Sequence, residues 1–283
     1  MKPIDAVGIA CFGQAGSYTD EAMKSYFTDA CIVPTYYSHF EDVVQAVIQG
    51  RARYGVVPIE NSSTGGITDV YDLIHQYGAF IVGERYVKVE HNLLALPGAT
   101  LDDIACVYSH PQGLDQCRSF LKLHPQWDLH PYFSTSQSAS LVKETGSKHV
   151  AAIANRSCAS LYGLTLLATH INDNTTNYTR FFIISAEEEH QKDADKITLV
   201  LTTKHKPGAL YHVLGHFFYH GMNMTHLESR PIKGRPFEYF FHIDVMGHLD
   251  DDATRLVLDN LANHCNYFKI LGNYPSDKGG TRL

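Results

Sequence analysis

The chain has 283 residues, 44% of them hydrophobic and 19% charged, which is enough apolar content for buried cores and excludes a disordered or low-complexity chain. That length favours two domains. A formal charge of −7 argues against a nucleic-acid binder with a broad basic face and points to a small molecule met in a pocket.

Six cysteines (Cys11, Cys31, Cys106, Cys117, Cys158 and Cys265) show no CxxC spacing, so they read as reduced thiols rather than a disulfide framework or zinc site. The apolar run near the start is too short for a leader. No stretch approaches the roughly 18 apolar residues of a membrane span. Sequons at Asn61, Asn174 and Asn177 matter only in a secreted protein. The expectation is a cytoplasmic protein without membrane or nucleic-acid partners.

Short apolar runs alternate with helical periods over the first two thirds of the chain. Strands are expected at 7–12, 31–34, 54–57, 104–108, 150–154 and 180–185. Helices are expected at 17–27, 40–49, 68–76, 113–123, 137–145 and 155–162. This alternation predicts an α/β layered fold with mostly parallel sheets, whose ligands sit at strand ends facing helix N-termini. The polar run 187–196 reads as a linker. Beyond it come a strand at 197–202, a helix to about 220, strands at 223–230 and 237–246, a helix at 253–265 and a strand at 267–271. That βαββαβ order is the ferredoxin-like arrangement. The expected domains are 1–186 and 197–283.

Polar clusters fall where strands end. Gly13-Gln14-Ala15-Gly16-Ser17-Tyr18 opens a helix and is neither of the nucleotide-binding glycine motifs, and Ser17 suits a cap as well as a ligand. Val57-Pro58-Ile59-Glu60-Asn61-Ser62-Ser63-Thr64-Gly65-Gly66 gathers amide, hydroxyl and backbone donors suited to a carboxylate, or forms an ordinary capped loop. Ser109-His110-Pro111-Gln112 leads into Gln116, and Phe133-Ser134-Thr135-Ser136 repeats the hydroxyl theme. The polar run from Asn172 ends in Thr179-Arg180-Phe181, where Arg180 suits a bidentate carboxylate contact. His212, His216 and His220 share a helix face, but no acidic or cysteine partner has matching spacing, so they read as the flank of a core face.

Taken together, GxxGSY, VPIENSxxG, SHPQ with its later QC, the Ser-Thr pair, NxTRF, PGAL and ESRP occur in an order that resembles prephenate dehydratase over essentially the whole chain. Gly113 and Ser138-Ala139-Ser140 depart mildly from the family pattern. The resemblance implies a two-lobed catalytic domain like the type II periplasmic binding proteins, followed by an ACT regulatory domain. A chain starting at the first dehydratase strand is expected to lack the chorismate mutase domain fused in some relatives. The implied reaction converts prephenate to phenylpyruvate, water and carbon dioxide on the route to phenylalanine, with no metal or organic cofactor.

Thr179 is the residue implied nearest the chemistry, donating a hydrogen bond or proton to the leaving hydroxyl. Arg180 is implied to anchor a carboxylate, and Asn61, Ser109, Gln116 and Thr135 to orient the substrate. Ser17, Glu60, Ser62 and Phe181 complete the substrate-binding set. Gly208, Ala209 and Leu210, with Glu228, Ser229, Arg230 and Pro231, are implied to bind the inhibitor L-phenylalanine between ACT domains of a homodimer or tetramer. An arogenate dehydratase would share every motif. A non-catalytic amino-acid sensor is the alternative of another class.

Overall fold

The computed structural model describes residues 6–232 and 234–279. Residues 1–5, where the segment read as no leader begins, and 280–283, at the end of the expected small domain, lie outside the described residues. The first apolar run forms β1 (Val7–Phe12), and α1 (Tyr18–Tyr26) follows because Ser17 caps it, its Oγ accepting from the Asp20 N–H at 3.2 Å. Then come β2 (Ile32–Tyr37), α2 (Phe40–Ile48), β3 (Tyr54–Asn61), β4 (Gly65–Gly66), α3 (Thr68–Tyr77) and β5 (Phe80–Lys88). The chain crosses to a second layer with β6 (Asn92–Ala95), β7 (Cys106–Ser109), α4 (Pro111–Asp115), α5 (Arg118–Leu121) and β8 (Asp128–Pro131). That layer closes with α6 (Thr135–Thr145), β9 (Val150–Ala154), α7 (Ser157–Tyr162) and β10 (Thr165–Ala168), before β11 (Tyr178–Ser185) returns to the first.

The first sheet runs β2-β1-β3-β11-β5, with β4 beside β3, and the second runs β10-β6-β9-β7-β8. Both are mixed rather than mostly parallel. β1 is parallel to β2 and β3, and β7 to β8 and β9, but the strands nearest the two crossings (β5, β6, β10 and β11) pair antiparallel. The helix expected over 113–123 is two short helices, broken at Gln116 and Cys117.

The remaining chain forms β12 (Lys196–Thr202), α8 (Ala209–Tyr219), β13 (Met224–Pro231), β14 (Tyr239–Met246), α9 (Asp252–His264) and β15 (Tyr267–Tyr274). Its antiparallel sheet runs β13-β14-β12-β15. One face, with Leu199, Leu201 and Ile243, packs under α8 and α9 through Val213, Phe217 and Leu261. The other lies on the first sheet. There Val200, Leu271 and Tyr274 share one core with Val57, Ile59, Tyr71 and Phe182. The approach is closest at Gly272, where a Cβ would stand 1.9 Å from the Ile81 carbonyl oxygen, so only glycine fits. The run read as a linker therefore does not lie between independent cores, and its last residue, Lys196, is a buried strand residue. Among the described residues no helix is long and apolar enough to cross a membrane.

Candidate active site

A cleft of about 560 Å³ opens where the two larger sheets meet. The first sheet contributes Phe12, Gly13 and Gln14 after β1, Tyr18 on α1, Asn61 at the end of β3 and Thr179 on β11. The second contributes His110, Gln112 and Gln116 around α4, and Phe133, Ser134 and Thr135 where α6 begins. His91 lies in the first crossing between the sheets. Among the described residues no lysine or arginine lines the cleft. Amide side chains face it instead, and α1 and α6 begin at its edge, where a helix N-terminus carries partial positive charge.

Asn61 and Thr179 are cross-strand partners on β3 and β11, and both are buried at the cleft wall. The Asn61 carboxamide is fixed on both sides. Its Oδ1 accepts from the N–H groups of Ser63 (2.9 Å) and Thr64 (3.2 Å), and its Nδ2 donates to Asn177 Oδ1 (2.8 Å) and Thr179 Oγ1 (2.9 Å). A hydroxyl that accepts in this way keeps its own proton free to donate. Of the expected site residues, the fold brings the catalytic candidate Thr179 and the substrate-binding candidates Asn61, Gln116 and Thr135 into the cleft.

Arg180 is not among them. It is 3% exposed and turned through the sheet, with Nε 2.7 Å from Glu84 Oε2, Nη1 2.6 Å from Asp244 Oδ2 and Nη2 3.2 Å from the Tyr274 hydroxyl. Lys196 reaches the other Glu84 oxygen at 2.5 Å, and Thr198 donates to Asp244 at 2.7 Å. Burial opposes each charge, but Asp244, then Tyr274 and Glu84, outweigh it and hold the Arg180 pKa well above its ordinary value, while Arg180 holds that of Asp244 below its own. Glu60 sits on the same side, 3.5 Å from His226 Nδ1 and 4.0 Å from Arg180 Nη1. The cause is strand geometry: neighbours along a strand face opposite ways, so Thr179 and Arg180 cannot share one pocket.

Four further expected residues also serve elsewhere. Ser17 is the α1 cap. The Ser62 Oγ accepts from the Tyr178 N–H at 2.9 Å and donates to the Thr176 carbonyl at 3.3 Å on the exposed side. Ser109 is fully buried and donates to the Ile153 carbonyl at 2.8 Å. Phe181 packs in a core with Ile9 and Met23. Sequence reasoning passed over His91 and the network of Glu84, Lys196 and Asp244, none of which stands in a recognisable motif, and it named Tyr18 only as the end of the GxxGSY stretch. His110 caps α4, its Nδ1 accepting from the Gln112 N–H at 3.2 Å. Burial pushes the Cys117 and Cys158 thiols up to about 12, so neither is a nucleophile near neutral pH.

A second cavity of about 720 Å³ is lined by residues 202–211 with Phe237 and Tyr239, and includes Gly208, Ala209 and Leu210. Gly208 stands at φ +77°, the left-handed conformation that starts α8. Glu228, Ser229, Arg230 and Pro231 do not line it within one chain. On edge strand β13, Arg230 Nη2 pairs with Asp69 (3.1 Å) and Asp72 (2.9 Å) of α3, while Ser229 and Pro231 face outward. His216 lies beside His264, with ring centroids 5.3 Å apart and the planes tilted by 47°. The donor atoms of Cys106, Asp128 and His130 lie within 4.8 Å of one another on β7 and β8, a set able to ligate a cation but away from the cleft.

Mixed α/β sheets around a polar cleft, with a third sheet packed behind, fit a protein that takes a small molecule, and the family it matches makes it a dehydratase-type lyase. The family model described as prephenate dehydratase matches residues 9–189. The bifunctional chorismate mutase/prephenate dehydratase of Escherichia coli K12 is 36% identical over 273 residues, covering 95% of this chain and 71% of that protein. The prephenate dehydratase of Arthrobacter aurescens, solved in complex with L-Phe, superposes with a TM-score of 0.85 at 32% identity, covering 98% of this chain and 92% of that one. A structure described as GqqA, a novel type of quorum quenching acylase, gives a TM-score of 0.86 at 34% identity, covering 96% and 98%. The chain belongs to the prephenate dehydratase family.

Proposed function

We propose that this chain catalyses the decarboxylating dehydration of prephenate at the cleft between the two larger sheets. The bond from the ring to its carboxylate breaks, its electron pair enters the ring, and the carbon–oxygen bond to the hydroxyl breaks. With one proton taken up, the products are phenylpyruvate, carbon dioxide and water. The observation that carries the reading is the Asn61–Thr179 pair. Asn61 donates to Thr179 Oγ1 at 2.9 Å, leaving the threonine proton directed to the departing hydroxyl. Gln116 and Thr135 hold the substrate, and the starts of α1 and α6 meet its carboxylates.

In this reading residues 1–186 form a two-lobed catalytic domain of the type II periplasmic-binding-protein kind, 187–196 a connection and 197–283 an ACT domain with ferredoxin-like order. The cavity beside Gly208, Ala209 and Leu210 takes L-phenylalanine. The outward-facing Ser229 and Pro231 of a second copy complete it in a homo-oligomer. The test supplies the purified full chain with prephenate and with arogenate and follows both products, with and without L-phenylalanine. Phenylpyruvate release inhibited by L-phenylalanine is expected. Faster phenylalanine release from arogenate would change the substrate. Hydrolysis of an N-acyl substrate with no aromatic product would move the chain to the activity named for GqqA.

A further inference from the structure

His91 is 2% exposed, yet it bridges the two walls of the cleft. Its Nδ1 lies 3.2 Å from the Tyr18 hydroxyl on α1, and its Nε2 lies 2.8 Å from the Gln116 carboxamide at the end of α4. The Tyr18 hydroxyl is also 2.9 Å from the Glu90 carbonyl oxygen. A phenol has one proton and a backbone carbonyl only accepts, so that proton goes to Glu90. The hydroxyl then meets His91 as an acceptor, which places the ring proton on Nδ1. Burial holds the His91 pKa below its ordinary value, so the ring is neutral near pH 7 and Nε2 carries a lone pair.

That lone pair needs a donor. The atom placed nearest it is Gln116 Oε1, but the two ends of a carboxamide are alike in shape and are told apart by their hydrogen bonds. Two facing lone pairs in a buried site would cost about 1–3 kcal/mol, whereas a turned amide puts its NH₂ against Nε2. We propose that His91 is a positioning residue, locked as the Nδ1–H tautomer by Tyr18 and the Glu90 carbonyl, that turns the Gln116 carbonyl oxygen into the cleft as the acceptor for the substrate's ring hydroxyl. This assignment of a ligand group rests on the dehydratase reading above. Prephenate near neutral pH has two carboxylates, one ketone and one hydroxyl, so the hydroxyl is its single hydrogen-bond donor. A carbonyl oxygen at Gln116 repels the carboxylates and accepts that hydroxyl, fixing which end of the ring points toward Thr179.

The test is ¹⁵N-histidine NMR on the full chain without substrate, with the His91 signals assigned by their loss in His91→Gln. A neutral ring protonated on Nδ1 is expected. In Tyr18→Phe the proton is expected to move to Nε2, because Nδ1–H has lost its acceptor and Gln116 can turn to accept. Protonation on Nε2 in the unaltered chain, or a Tyr18→Phe ring still protonated on Nδ1, would overturn the proposal. Tyr18→Phe is also expected to lower kcat/KM for prephenate by about tenfold with an unchanged urea midpoint. Unaltered kinetics alongside the shifted tautomer would overturn the role assigned to Gln116. A chain that does not turn over prephenate at all would defeat the dehydratase reading while leaving the tautomer result intact.

Discussion

The β3–β11 ladder presents two unlike faces one residue apart. On the cleft face, Asn61 and Thr179 are neutral and joined by a single hydrogen bond. On the opposite face their neighbours Glu60 and Arg180 look toward the third sheet, and Arg180 is closed into a network with Glu84, Asp244 and Lys196. Arg180 therefore ties the third sheet to the first and is turned away from the cleft. In the proposed reading, a dianion entering this acidic protein meets oriented dipoles, which keep their positions without counter-charges of their own. Each face can be broken without the other.

The largest effect belongs to the cleft face. Thr179→Val keeps the volume and removes the hydroxyl, so turnover is expected to fall by about 10²–10⁴-fold with an unchanged urea midpoint. A near-normal rate in folded protein would place the hydrogen-bond donor elsewhere. On the other face, Asp244→Asn leaves Arg180 buried beside one anion fewer, and a stability loss of about 3–5 kcal/mol is expected from the urea midpoint. A change below about 1 kcal/mol would show that Arg180 does not depend on the third sheet.

His242 lies on the same face, buried with neither ring nitrogen bonded, and burial, reinforced by His75 and His226, lowers its pKa to about 3. Folded, it stays neutral, while the unfolded chain protonates it below about pH 6.5. The unfolded state then binds the extra proton, so stability falls as pH drops from about 6.5 toward 3. Between about pH 6.5 and 5 the expected loss is about 2 kcal/mol. His242→Phe should flatten that slope in urea titrations, and an unaltered slope would mean that the ring is not held neutral. The smallest effect is at Gly113, where a Cβ would stand 2.6 Å from the Ser109 Oγ. Gly113→Ala should displace the Ser109 hydroxyl from the Ile153 carbonyl, at about 1 kcal/mol of stability, with KM for prephenate little altered.

β1 and β9 could be read to the residue, because each is a short apolar run bounded by turn residues. β5 could not: Glu84 and Arg85 interrupt its apolar run, and Glu84 is tolerated in the interior only because Arg180 and Lys196 arrive from distant regions of the chain. The misplacement of Arg180 has a local cause. The expected strand began at 180 and left Thr179 in a loop, where both side chains were free to face a ligand. β11 in fact begins at Tyr178, and the two-residue period then sends them to opposite sides. Asn61 was legible as a polar residue ending an apolar run, and Thr179 through the TRF motif that the family resemblance rests on. His91 was not, being one histidine among 17 with no motif around it.

The division between the two faces is tested most directly by KM for prephenate in Arg180→Lys, measured where the variant is folded. A lowered urea midpoint with KM within about threefold of the unaltered chain is expected. A KM raised about a hundredfold at an unchanged midpoint would contradict the account and return Arg180 to the substrate.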